Sequence, residues 1–166
     1  MRSDSAADHA EADPIAAEIQ QIVESAIPSW GLAKFLFCES EPWWAPSVQA
    51  EISLRLQTKT DNRDVPQARC ESFPTTRTLF EQLKSDSCDG VVLITGDQIR
   101  DTLLFPGRLT RLCRPCPPVL VVLPREYRNV MPVLLESGAS TVFCQPVSDQ
   151  EIADWCTRVV LNAGRS

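Results

Sequence analysis

A chain of 166 residues, 43% hydrophobic and 23% charged, is long enough to bury one sizeable core and too short for several. Its net charge of -6 and pI near 4.8 lack the basic excess of a nucleic-acid-binding domain. No apolar run approaches the ~18 residues that span a bilayer, and the acidic opening Met1-Arg2-Ser3-Asp4 lacks the basic start of an export signal, so a cytoplasmic protein without membrane contact is expected.

The charge is unevenly spread. Residues 1–30 hold six acidic side chains against the single Arg2, a local charge of -5 in the total of -6. Residues 1–13 are small, polar and charged, a composition that predicts a disordered acidic tail. From Pro14, Ile15, Ile19, Ile22, Val23 and Ile27 recur at helical spacing, so residues 14–30 are expected to form an amphipathic helix and a linker ahead of a domain over 31–166.

Within that domain Lys34–Cys38 reads as a first strand, Glu39–Trp44 as a loop, and Val48, Ile52 and Leu56 as one face of a helix. A loop over 57–64 leads to a short strand near Gln67–Cys70, and Pro74 is expected to open a helix with Leu79, Phe80 and Leu83 inward. Gly90–Ile94 is the next strand. Residues 98–112 look helical but carry Pro106-Gly107, which predicts two short pieces or a kink.

The β-branched run Val119–Leu123 between prolines suits a strand buried on both faces. A helix stopping at Gly138 follows, then a strand over Thr141–Cys144. Ser148-Asp149-Gln150-Glu151 is a capping box opening a last helix, with Ile152, Trp155, Cys156 and Val159 inward.

Five strands alternating with five helices predict an α/β three-layer sandwich around a parallel sheet, of order 2-1-3-4-5, with the N-terminal helix as an addition. In such sheets ligands gather at the carboxyl ends of the strands. That singles out Glu39, Ser40, Glu41, Thr95, Gly96, Asp97, Leu123, Pro124, Gln145 and Pro146.

Seven cysteines, an odd set in largely apolar surroundings, read as reduced thiols. Cys113-Arg114-Pro115-Cys116 has the spacing of a redox pair or half a zinc site, but it is followed by Pro117-Pro118, not by a helix. With His9 the only histidine, plain loop thiols are expected. Trp43 and Trp44 are candidates for a partner anchor, against the simpler reading that one or both pack on the domain or on the N-terminal helix. Arg100, Arg108, Arg111, Arg114, Arg125 and Arg128 read as a solvated charged face, and Glu39, Glu41 and Asp97 as solvated loop acids.

Phe35-Leu36-Phe37-Cys38-Glu39-Ser40-Glu41-Pro42, Asp89-Gly90-Val91-Val92-Leu93, Pro118–Val122, Glu136-Ser137-Gly138-Ala139-Ser140 and Gln145-Pro146 occur in the right order over about residues 33–162. On these motifs the chain resembles the receiver domain of bacterial response regulators. The resemblance implies a flavodoxin-like fold, a cis Gln145-Pro146 bond, and association through the face of the last helix, strand and helix.

It also implies a degenerate pocket. The acidic Mg²⁺-holding pair falls on Glu39 and Ser40, the phosphate-accepting Asp on Ile94 or Thr95, the hydroxyl of the fourth strand on Leu123, the Lys on Gln145, and the aromatic switch position on Val142. Such a pocket lacks the metal and cations that stabilise a transferred phosphoryl group. The expectation is a non-catalytic, phosphorylation-independent pseudo-receiver with no cofactor and no metal. Its partner would be another protein or a second copy, with Trp43, Trp44, Arg125, Arg128 and Val142 as interaction candidates. The alternative is a small flavodoxin-like cofactor-binding domain or enzyme, although no glycine-rich phosphate loop follows the first strand.

Overall fold

The computed structural model describes residues 32–59, 67–96 and 99–163. The expected acidic tail, the helix over 14–30 and Asp97 lie outside these residues.

Five strands, β1 (Ala33–Cys38), β2 (Ala68–Phe73), β3 (Gly90–Ile94), β4 (Val119–Leu123) and β5 (Thr141–Cys144), form one sheet in the order β2-β1-β3-β4-β5, all neighbours parallel. The crossovers are helices α1 (Trp44–Lys59), α2 (Thr76–Ser85), α3 (Ile99–Leu112) and the short α4 (Met131–Glu136). A 3₁₀ segment over Arg125–Val130 precedes α4, and α5 (Asp149–Ala163) closes the chain.

Alternation along the strands makes two cores. Phe35, Phe37, Val92, Leu120 and Val122 point to the side covered by α1 and α5, where they meet Val48, Ile52, Leu56, Ile152 and Trp155. Leu36, Val91, Leu93, Val119, Val121 and Leu123 point to the other side, against Leu79, Phe105, Leu109 and Leu134. Central strands buried on both faces need apolar residues at every position, hence the unbroken Val119–Leu123 run. Trp155 packs edge-on against Phe35 and donates its indole N–H to Thr141 Oγ1 at 3.1 Å.

Several local signals hold. Ser148 and Glu151 close their capping box: Ser148 N–H donates to Glu151 Oε2 at 2.8 Å and Glu151 N–H to Ser148 Oγ at 3.3 Å. Gly138, at φ 111°, ends α4: its N–H donates to Leu135 O and that of Ala139 to Leu134 O, the paired bonds of a Schellman stop. The Gln145-Pro146 peptide is cis, as is Arg114-Pro115.

Four expectations are corrected. The second strand extends to Phe73, because backbone pairing with β1 continues to Cys38 and an edge strand tolerates the polar Arg69, Glu71 and Ser72. The first helix runs to Lys59 rather than yielding to a loop at 57. Pro74 precedes α2 instead of opening it, since Thr75 is the N-cap and exchanges bonds with Thr78. Finally, α3 is one helix through Pro106. The proline forfeits one ladder bond, but its ring is buried along with Phe105 and Leu109, and that packing offsets the loss.

Candidate functional site

The loops after β1 and β3 lie side by side: a methyl group built on Gly96 would sit 3.5 Å from Ser40 Oγ. Between them is an open pocket of about 300 Å³ lined by Glu39, Ser40, Glu41, Trp43, Trp44, Ile94, Thr95 and Gly96. Half of the ten residues singled out at the strand ends, Glu39, Ser40, Glu41, Thr95 and Gly96, are thus brought together.

Glu39 is not a solvated loop acid. It is 3% exposed and caps α1. Its Oε2 accepts the backbone N–H of Trp43 (3.2 Å) and Trp44 (2.7 Å), and its Oε1 accepts that of Ala45 (3.0 Å) and the hydroxyl of Ser72. The physical reason is that a helix opens with N–H groups lacking intrahelical partners, and Trp43, the residue before α1, has no side-chain acceptor. A carboxylate at that end also complements the helix dipole.

Both Glu39 oxygens are committed to these donors, and the residue beside it is Ser40, which brings no second carboxylate. Among the described residues no group of three or more His, Cys, Asp or Glu side chains is placed to hold a metal ion. The part played by Ser72 was invisible in the sequence, because it lies 33 positions from Glu39 and only strand pairing joins them.

Thr95 is 3% exposed, and its Oγ1 has no hydrogen-bond partner among the described residues. Glu41 and Ser40 are exposed. Trp44 packs on the core beside α1, whereas Trp43 is 63% exposed, and the two rings meet edge to face at 4.7 Å with 80° between their planes.

Other candidates lie elsewhere. Leu123 is fully buried, and Gln145 is held by its N–H to Leu123 O at 2.8 Å. Val142 is corrected as an interaction candidate: the alternation of β5 turns it into the core under α4, leaving it 8% exposed. Exposed apolar side chains near that edge are instead Val133 and Leu135. Arg125 and Arg128 sit in the exposed 3₁₀ segment. All six arginines of the expected charged face are exposed, and none forms an ion pair among the described residues.

All seven cysteines are free. Burial pushes Cys38 up to about 11 and Cys70 and Cys88 up to about 12, and drives Cys156 higher still, so these thiols remain protonated at neutral pH. Cys113 is half-buried at the end of α3 and Cys116 is exposed in the loop beyond it.

No family model matches the sequence, and no curated protein is similar enough in sequence to count as a relative. Solved structures do match. The receiver domain of the TMAO respiratory system response regulator TorR aligns over 80% of this chain and 98% of its own, with a TM-score of 0.55 at 20% identity. The fold is that of response-regulator receiver domains. The signal receiver domain of a signal transduction histidine kinase from Syntrophus aciditrophicus aligns over 81% of this chain and 94% of its own, with a TM-score of 0.57 at 18% identity. A streptococcal redox sensor, of a family described as evolved from two-component response regulators, aligns over 80% of this chain and 53% of its own, with a TM-score of 0.58 at 14% identity. Among the described residues no helix is long and apolar enough to cross a membrane.

Proposed function

We propose that this chain is a receiver-like signalling module that binds another protein in the cytoplasm, independently of phosphorylation and without catalysis. The observation that carries the reading is the end of β3. On the resemblance to receiver domains the phosphate acceptor falls on Ile94 or Thr95, and the neighbouring Glu39 is committed to the N-terminus of α1. Neither side chain at the strand end can form an acyl phosphate. Ser40, Leu123 and Gln145 supply no second acid, hydroxyl switch or lysine to stabilise a transferred phosphoryl group. The streptococcal sensors supply a precedent for giving this scaffold a different input.

A flavin- or nucleotide-binding domain is the weaker reading on the same grounds. The helix N-terminus that would cradle a phosphate is already filled by a carboxylate, and about 300 Å³ is at the lower end for a small-molecule site. With no phosphate switch, association through the α4–β5–α5 face would be constitutive, with Arg125 and Arg128 at its rim raising the encounter rate more than the affinity.

Incubation of the full chain with acetyl phosphate and Mg²⁺, read by intact mass, is expected to leave it unmodified. Light scattering and partner capture are expected to give the same complexes before and after. A stoichiometric, acid-labile phosphoprotein overturns the reading.

A further inference from the structure

We propose that the pocket between the β1 and β3 loops binds an arginine side chain presented by the partner. This rests on the interaction-module reading and adds the chemistry of what is recognised. Anions are disfavoured first. The backbone N–H groups of Trp43, Trp44 and Ala45, which would otherwise attract one, all donate to Glu39, and the exposed acid on the rim is Glu41.

What the pocket offers is suited to a planar cation. The indoles of Trp43 and Trp44 form a corner with 80° between their planes, and Trp43, 63% exposed, has ring surface free for stacking. Glu41 brings an exposed carboxylate and Ser40 an exposed hydroxyl. The Thr95 oxygen is the independent pointer. Thr95 lines the pocket and its buried Oγ1 has no partner among the described residues, an arrangement that costs stability unless a bound group reaches it by a small shift of the side chain. A guanidinium has five N–H donors, no acceptor, and a weakly hydrated flat face that stacks on indole, so it complements acceptors set beside an aromatic corner better than a compact, strongly hydrated ammonium does.

The test uses the ¹⁵N-labelled full chain titrated, without Mg²⁺ or phosphodonor, with a blocked peptide of alternating glycine and arginine. Matched peptides carry neutral citrulline or lysine instead. The arginine peptide is expected to shift the Trp43 and Trp44 indole signals and the Thr95 amide saturably, and the citrulline peptide to leave them in place. Glu41→Gln and Trp43→Ala, both at exposed positions, are each expected to weaken binding about three- to tenfold. Thr95→Val, which keeps the shape and removes the hydroxyl, is expected to weaken binding while the melting temperature holds or rises.

Equal binding of the citrulline or lysine peptide, unaltered affinity in all three variants, or shifts scattered over the acidic surface overturns the proposal. Failure of the parent reading is seen separately. A phosphoprotein formed with acetyl phosphate defeats that reading even if the arginine peptide binds, whereas an inert protein that ignores the peptide defeats the pocket alone.

Discussion

The two ends of the sheet differ in how completely their polar groups are used. At the amino end the strands are tied down. Lys34 N–H donates to Asp89 Oδ2 at 2.7 Å and Asp89 N–H returns to Lys34 O at 2.8 Å, while Ser140 N–H donates to Val119 O and Val119 N–H to Ser140 Oγ. The Lys34 ammonium adds ion pairs to Asp86 and Glu71. At the carboxyl end both Glu39 oxygens are used, but around it are a buried hydroxyl without a partner among the described residues, an exposed carboxylate and an exposed indole. Polar groups left incomplete at a concave strand end point to binding, and closed networks at the opposite end point to stability.

The largest effect is expected at Glu39, whose carboxylate at the carboxyl end serves the fold. Glu39→Ala strands the backbone donors of Trp44 and Ala45 and the Ser72 hydroxyl, while Trp43 N–H keeps its 2.8 Å bond to Glu41 O, and is expected to cost about 2–4 kcal/mol in urea unfolding. An unchanged midpoint would mean that water replaces the cap freely.

Next is Gly138, leading into β5 at the amino end. With φ at 111° and Thr110 Cγ2 only 2.6 Å from where a Cβ would stand, Gly138→Ala is expected to lose about 1–3 kcal/mol by the same measurement.

Thr95→Val sharpens the contrast by its opposite sign. Removing a buried hydroxyl with no partner is expected to stabilise the free protein by up to about 1 kcal/mol, where a hydroxyl used by the fold would show a loss.

The smallest effect is at Asp86. Hydrogen bonding to Lys34, with its charge, holds the Asp86 carboxyl below its usual range, and the same bond raises Lys34. A depressed acid contributes stability above its unfolded pKa and loses it as pH falls through the folded one. A raised amine contributes below its unfolded pKa and loses it as pH climbs through the folded one. The small advantage of the wild type over Asp86→Asn should therefore be flat across neutral pH, fade in acid and in strong alkali, and shrink with salt because Asp86 is exposed. Melting curves at several pH values and two ionic strengths check this.

How far the site was legible depended on the range of the interactions. Ile94, Thr95 and Ser40 could be placed at strand ends from the alternation of elements alone. The cap on α1 could not, because a glutamate separated from its helix by Ser40-Glu41-Pro42-Trp43 matches no short capping pattern, and Ser72 reaches it from another strand. Trp43 and Trp44 are adjacent in sequence yet differ in exposure, since only the helix register decides which ring turns inward. Val142 misled for the related reason that its side in β5 is set by pairing with β4.

The layer order, the parallel sheet and most element ends were readable from local patterns in the chain. These follow from hydrophobic period, capping residues and glycine stops, which act within a few positions of one another. Tertiary structure decided the length of β2, the continuity of α3 through Pro106, the commitment of Glu39 and the unpartnered state of Thr95. Each of these depends on atoms distant in the chain, paired strands, a packed core face or a facing loop, whose positions no local pattern encodes.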